Sequence, residues 1–139
     1  MSEEIRFKEL NKINCKVEKK GRFNYISWAS AWKELKSMYP SATFTNYQFD
    51  KVIKKGDVTQ KTSSFVSPEG FVRVGVTVNG VEHVEDYPVL NNLNKPIPDP
   101  DSFEINKSLK RALAKAIALH GIGLYVFEGE DLPEDKDEK

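Results

Sequence analysis

The feature that most constrains this chain is a hairpin pattern between Phe71 and Tyr87. Valine stands at every second position of Val72–Val78, and arginine, glycine and threonine stand between the valines. This alternation is typical of a strand that buries one face in a core. Asn79-Gly80 follows at once, and this dipeptide favours the two-residue type I′ turn of antiparallel hairpins. The pattern therefore predicts two antiparallel strands whose valine face belongs to the core.

Helical patterns precede this hairpin. A short helix is predicted over residues 3–10, and residues 11–22 are predicted to be strand or loop. Ser27 is a preferred residue type for a helix N-cap, and apolar residues recur after it at helical spacing until Pro40. These residues are Trp28, Trp32, Leu35 and Tyr39. Core packing is the expected role of the tryptophans, and base stacking is the alternative.

A basic segment lies between the second helix and the valine strand. Residues 43–53 alternate aromatic and polar side chains, as a half-buried strand does. Lysines surround a turn at Gly56, where Asp57 is the opposing acid. The lysines are Lys51, Lys54, Lys55 and Lys61. This pattern indicates a basic hairpin tip, which is either a solvated loop or a contact surface.

A third helix is predicted from Phe103 to Leu119. The connection before it, residues 88–101, carries four prolines, which exclude helix and central strand. Asp101 or Ser102 is expected to cap the helix. At 100° per residue, the apolar residues of this helix fall on one arc. They are Ile105, Leu109, Ala112, Leu113, Ala116, Ile117 and Leu119.

The opposite arc of this helix carries cations and no acid. We call these residues the helix cations; they are Lys107, Lys110, Arg111 and Lys115. Small Ala114 and Ala118 lie between them, which would let a polyanion approach closely. This arc is a candidate contact surface for a phosphate backbone, and a solvated helix face is the alternative. The apolar segment Gly121–Phe127 that follows predicts a short strand.

The formal net charge of zero conceals an asymmetry along the chain. Residues 128–139 carry seven acids and two lysines, a net charge of −5, whereas residues 1–127 carry 19 bases and 14 acids, a net charge of +5. A basic body with an acidic end suggests contact with nucleic acid. We therefore predict one domain over residues 1–127 and an acidic, flexible tail over residues 128–139. A purely solubilising tail is the alternative.

Catalytic and metal-binding patterns are absent from the sequence. His83 and His120 lie far apart, without acid or cysteine partners at ligand spacing. The single Cys15 excludes an internal disulfide, and no Gly-Lys-Ser/Thr loop for ATP occurs. We therefore expect a protein that is not an enzyme and needs no cofactor or metal. His120 beside Gly121 is expected to be a packed residue and not a catalytic base.

Three neighbouring acids are the exception to this expectation. Glu82, Glu85 and Asp86 could hold the magnesium ion of a nuclease, but a solvent-facing strand edge is the simpler interpretation. The chain also lacks an apolar run of membrane-spanning length and an apolar signal-peptide segment near Met1. These features predict a cytoplasmic protein without a membrane partner.

The order of the predicted elements indicates an α+β domain. Such a domain would contain an antiparallel, hairpin-rich sheet of three or more strands, with helices packed on one face. Three segments of the chain together resemble phage single-strand annealing proteins of the Sak type, which are considered distant relatives of the eukaryotic Rad-type annealing proteins. The segments are YISWASAW, LNNLNKPIPDPDSFEIN and KRALAKAIALHGIGLYVFEGEDLP, within residues 25–133.

The resemblance implies a protein that binds single-stranded DNA, anneals complementary strands without ATP and assembles into a homo-oligomeric ring or filament. It also implies the cytoplasm of a bacterial host cell as its location and a host recombinase as a candidate partner. In this family a β-hairpin and the long helix are expected to line a positive groove. A non-enzymatic regulator that binds RNA or duplex DNA is the alternative, and a module that receives an acidic protein partner is another.

The family's Lys-Arg-Ala-Leu run, which supplies cations for the DNA backbone, matches residues 110–113. An arginine that follows in the distant relatives corresponds here to Ala114, so Lys107 or Lys115 would take its place. Further contacts with the phosphate backbone are expected from Lys51, Lys54, Lys55 and Arg73.

The acidic tail generates a first prediction. Because its carboxylates repel a DNA backbone and compete for the cations of the body, deletion of residues 130–139 is expected to tighten binding to single-stranded DNA at low salt. The measurement is a binding titration of the full chain and the truncated chain at low and at high salt. Equal affinities at low salt would mean that the tail is passive.

Overall fold

The computed structural model describes residues 3–13, 18–20, 23–90 and 95–127 of the chain. The predicted tail, residues 128–139, lies outside the described residues. In chain order, the helices and strands are α1 (Glu3–Asn11), β1 (Glu18–Lys20), β2 (Phe23–Tyr25), α2 (Trp28–Met38), β3 (Thr43–Asn46), β4 (Phe49–Lys55), β5 (Val58–Ser64), β6 (Phe71–Val78), β7 (Val81–Pro88), α3 (Ser102–Leu119) and α4 (Leu124–Phe127). Within these residues, no helix combines the length and the apolar character needed to cross a membrane.

The hairpin β6–β7 forms most of a three-stranded antiparallel sheet with the order β3-β6-β7. Its turn has positive φ at both Asn79 (50°) and Gly80 (82°), as a type I′ turn requires. The valines of β6 are 0% exposed, and α3 packs on both β6 and β7. The predicted hairpin, its valine core and the α+β class are therefore confirmed.

The single strand predicted over residues 43–53 is wrong, because the structure has two strands in different sheets. β3 pairs with β6, whereas β4 leaves that sheet and pairs with β5 in a separate two-stranded hairpin. Tyr47 N donates the last hydrogen bond to the central sheet, to Arg73 O at 2.9 Å, just before β4 begins. Gly56 occupies the turn of the β4–β5 hairpin with φ 60°. A third, two-stranded sheet pairs β1, which lies within the segment predicted to be strand or loop, with β2 just after that segment.

Helix α2 begins where the sequence predicts. The Ser27 hydroxyl oxygen accepts a hydrogen bond from Ser30 N at 3.2 Å, which satisfies one of the free amides of the first turn. Leu35 is fully buried, and the two tryptophans pack partly buried against the same core. The tryptophans thus have the expected packing role and still keep part of each ring at the surface.

Helix α3 is capped by a reciprocal pair of hydrogen bonds. The carboxylate of Asp101 accepts from Glu104 N at 2.8 Å, and the carboxylate of Glu104 accepts from Asp101 N at 3.1 Å. This capping box fixes the start of the helix. The predicted apolar arc is buried between Leu109 and Ile117, whereas Ile105 near its start is partly buried and Leu119 at its end is 39% exposed.

Two expectations around α3 are wrong. Ala114 and Ala118 do not form an open surface between the helix cations, since they are only 6% and 1% exposed. The sheet, α2 and α4 all contact α3, so the helix is covered on more than one side. The strand predicted at the end of the described chain is instead a turn followed by α4, and Gly121 and Gly123 make this turn with φ of 127° and 75°.

Gly121 generates a stability prediction. A Cβ on this residue would lie 2.9 Å from Phe7 O and 3.0 Å from Asn11 N, both backbone atoms of helix α1. Its φ of 127° is also unfavourable for any side chain. Gly121→Ala is therefore expected to lower the free energy of unfolding by about 2–4 kcal/mol, measured by urea denaturation.

Gly56→Ala is the matched control for this change. Gly56 also has positive φ, but a Cβ there meets no atom within 4 Å. Gly56→Ala should therefore lower the free energy of unfolding by only about 1–2 kcal/mol, the cost of backbone strain at positive φ. A Gly121→Ala variant no less stable than Gly56→Ala would contradict the close packing of α1 against this turn.

Candidate nucleic-acid interface

Three of the four helix cations are half-buried, and each of these three contacts an aromatic side chain. Lys107, in the second turn of α3, is exposed. The ammonium of Lys110 lies 4.4 Å from the centroid of the Trp28 ring and 5.9 Å from that of Phe44. A cation over an aromatic face is attracted by the negative charge density of the ring. Trp28 and Phe44 therefore hold Lys110 on the side of α3 that faces α2 and β3.

These aromatic residues belong to a larger cluster at the same side. The rings of Trp32 and Phe44 meet edge to face, with centroids 5.1 Å apart, a favoured geometry for aromatic pairs. Lys36 Nζ lies 5.7 Å from the centroid of Trp32. Phe44 is 36% exposed, so the cluster combines two ammonium groups with an accessible aromatic surface.

Arg111 and Lys115 contact the other edge strand of the sheet. Arg111 Nη1 donates a hydrogen bond to the Tyr87 hydroxyl oxygen at 2.9 Å. Lys115 Nζ lies 5.3 Å from the centroid of the same tyrosine ring and 5.5 Å from that of Phe127 in α4. Tyr87 therefore contacts two of the helix cations at once.

The helix cations are thus divided between the two edges of the central sheet. Phe44 in β3 pairs in register with Val76, and Tyr87 in β7 pairs with Val72. Directly opposed residues of antiparallel strands share one face of the sheet, so both aromatic residues lie on the valine face that α3 covers. Lys110 therefore lies at the β3 edge of this face, and Arg111 and Lys115 lie at its β7 edge.

Arg73 lies on the opposite face of the sheet. Its guanidinium makes two hydrogen bonds to the carboxylate of Asp86, at 2.7 and 3.0 Å, and the acceptor Asp86 raises the pKa of Arg73. The same guanidinium carbon is 5.4 Å from the ring centroids of both Phe49 and Phe71. The structure therefore does not bring Arg73 together with the helix cations.

The lysines of the β4–β5 hairpin form a separate exposed group. Cross-strand pairing places Lys51 and Lys55 on one face of the hairpin and Lys54 and Lys61 on the other. Phe49, at the start of β4, joins this hairpin to the central sheet, because its ring meets that of Phe71 edge to face with centroids 5.5 Å apart.

The three acids of β7 do not converge. Glu85 pairs with Val74 and lies on the helix-covered face, whereas Glu82 and Asp86 lie on the other. Glu82 accepts a hydrogen bond from the Tyr47 hydroxyl, and Asp86 is bound to Arg73. No group of three His, Cys, Asp or Glu residues that could hold a metal ion occurs in the described part of the chain.

A histidine pair is a feature that the sequence did not reveal. The rings of His83 and His120 lie 4.4 Å apart between centroids, although they are distant in sequence. Glu3 in α1 contacts His83 Nε2 at 2.7 Å, and His120 Nε2 donates to Val76 O at 2.7 Å. His120 is buried, as expected for a packed residue. Burial is the main cause of the lowered pKa of His120. Nearby His83 and Arg6 lower this pKa further, whereas the Val76 carbonyl and Glu3 raise it.

The lowered pKa generates a pH prediction. Because the unfolded chain binds a proton at His120 more tightly than the folded chain, stability should fall as pH drops below the ordinary value of 6.5. His120→Gln, whose amide can still donate to Val76 O, should show a smaller decrease between about pH 7.5 and about pH 5.5. Urea unfolding at both pH values measures this. Identical decreases in both proteins would exclude His120 as the titrating group.

A sequence model of the Sak single-strand annealing protein family matches residues 5–139. The chain belongs to the Sak single-strand annealing protein family. Membership in this family identifies the chain as a phage protein of recombination that binds DNA and anneals strands. Its partner is single-stranded DNA. The resemblance to Sak-type annealing proteins is thereby confirmed. No curated protein matches the chain.

The sequence patterns do not indicate the aromatic partners of the helix cations. They predict only a strand at Tyr87 and an aromatic alternation at Phe44. One signal was present: Tyr87 lies seven residues after Gly80 and Val72 lies seven residues before Asn79, so an ideal hairpin register already opposes the two residues and turns Tyr87 toward the helix. The pairing with Arg111 depends on where α3 crosses the sheet, which no local pattern records.

Proposed function

We propose that this Sak protein binds single-stranded DNA through its phosphate backbone along the helix cations and anneals complementary strands without ATP. The observation that carries the proposal is the set of four cations on α3, three of which are half-buried and contact aromatic side chains. A held cation loses less side-chain freedom on binding than a free one. Such a surface favours a flexible polyanion that needs charge and stacking contacts but no sequence readout.

Annealing follows from two properties of this surface. Cations that neutralise phosphates reduce the repulsion between two strands and release counterions. Contacts to the backbone alone leave the base edges free to test pairing with a second strand. The free energy then comes from the base pairs that form, so neither ATP hydrolysis nor a catalytic residue is required.

The β4–β5 hairpin supplies a second contact in this proposal. Lys51, Lys54 and Lys55 are exposed on both faces of the hairpin, and isolated two-stranded hairpins are only marginally stable in water. A bound phosphate backbone would order it. In this proposal Arg73 supports the hairpin, because its charge is paired with Asp86 and its guanidinium contacts the ring of Phe49.

The proposal includes assembly into a homo-oligomer, as a ring or a filament. Residues 107–115 span only about 12 Å along the axis of α3, enough for a few nucleotides. Several protomers would be needed to hold a strand long enough for stable pairing. β3 and β7 are edge strands of the central sheet, and unpaired strand edges are ready sites for contact between protomers. Light scattering with and without DNA tests assembly, and a monomer in both states would contradict it.

The central test is the variant Lys110→Ala/Arg111→Ala. The four helix cations alone contribute about −3 to the log–log salt slope of the wild type, and the loss of two should reduce the magnitude of the slope by about 1.4. Affinity for an oligothymidylate should fall more than tenfold at low salt. Fluorescence anisotropy across a salt series provides both quantities.

Lys12→Ala/Lys33→Ala is the matched control, since it removes the same charge from two exposed lysines outside this surface. If both double variants bind alike, the helix cations are not the interface. Competition binding with duplex DNA and with RNA tests the alternative of a regulator that binds those nucleic acids. An annealing assay without nucleotide tests whether strands anneal without ATP. A magnesium-dependent cleavage product would instead support a nuclease.

A further inference from the structure

We infer that Tyr87 is a positioning residue of the DNA-binding surface, which holds Arg111 through its hydroxyl and Lys115 through its ring. This inference rests on the proposed function, because it concerns how the helix cations are presented to phosphate. Tyr87 carries no charge, and the sequence does not predict that it belongs to the DNA-binding surface.

The position of Tyr87 is fixed by the core. It is directly opposite Val72 in the β6–β7 register, Val72 is completely buried, and the half-buried ring of Tyr87 packs against the core cluster. A side chain anchored in this way provides a rigid support at the rim of the sheet. The hydroxyl then lies 2.9 Å from Arg111 Nη1, and the ring centroid lies 5.3 Å from Lys115 Nζ.

The chemistry of this support suits a cation that must bind an anion. A phenol oxygen accepts a hydrogen bond from a guanidinium without cancelling its charge, and the guanidinium has further donors for a phosphate. Arg73 provides the contrast within the same protein, because its two hydrogen bonds end on a carboxylate. Tyr87 therefore orients Arg111 and leaves its charge available, whereas Asp86 neutralises Arg73.

Tyr87→Phe separates the two contacts. It removes the hydroxyl that accepts from Arg111 and keeps the ring beside Lys115. Affinity for an oligothymidylate should fall about threefold to tenfold, the usual net effect of one lost hydrogen bond. The salt slope should stay at the wild-type value, because the same number of phosphates is neutralised. Arg111→Ala, in contrast, should lower both affinity and the slope, the latter by about 0.7.

A double-mutant cycle decides whether Tyr87 acts through Arg111. In the Arg111→Ala background, Tyr87→Phe should cause no further loss of affinity, since the group that it positions is gone. Tyr125→Phe is the matched control, because it removes the hydroxyl of an exposed tyrosine in α4, and it should bind as the wild type does. Thermal unfolding of each variant checks that the fold is retained.

The outcomes distinguish this inference from the proposed function. If Arg111→Ala weakens binding but Tyr87→Phe does not, the positioning role is wrong and the DNA-binding surface stands. An equal loss from Tyr87→Phe in both backgrounds would also overturn the inference, because Tyr87 would then act independently of Arg111. If Arg111→Ala binds DNA as tightly as the wild type, Arg111 does not contact DNA, and this part of the proposed function is wrong.

Discussion

The packing of α3 on the valine face of β6 is the contact on which the rest of the structure depends. The four valines are completely buried, and burial of apolar surface is the main driving force of folding. Because α2 and α4 also cover α3, the helix has little free surface. Small alanines fit these crowded sides, and the long cationic side chains extend to the rims of the sheet.

This arrangement links the core to the electrostatics of the surface. At the rims, Lys110 meets Trp28 and Phe44, while Arg111 and Lys115 meet Tyr87. Aromatic side chains are suited to both tasks, because one part packs in the core and another part faces a cation. The sequence predicts a continuous cationic arc on α3. In the structure, Lys110 lies on one side of the helix, and Arg111 and Lys115 lie on the other.

Local patterns predicted much of the fold. The Asn79-Gly80 turn, the alternation of valines, the N-cap Ser27 and the cap Asp101 each depend on residues within one turn or strand, and each is present in the structure. The charge on α3 and the family resemblance were also accessible from sequence. The division of residues 43–53 between two sheets was not, because the alternation continues unbroken across the point where the chain changes its pairing partner.

The candidate site was less accessible because it depends on tertiary contacts. Arg73 was grouped with the helix cations by charge alone, although β-strand alternation already places it on the face opposite the valines. The contact between the tilted rings of His83 and His120 joins β7 to the end of α3, and the hydrogen bond between Tyr87 and Arg111 joins β7 to the middle of that helix. The periodicity of a sequence predicts which face of a helix or strand a residue occupies. It does not predict which residue of another helix or strand that side chain contacts.

The central claim is that single-stranded DNA lies against the helix cations, and the fluorescence of Trp28 tests it most directly. The chain has only two tryptophans, so the variant Trp32→Phe leaves Trp28 as the single emitter, beside Lys110 Nζ. A phosphate that draws Lys110 away from this ring, or a base that stacks near it, must change the emission. We predict a saturable change on titration with oligothymidylate. Unchanged emission at full binding would contradict the account.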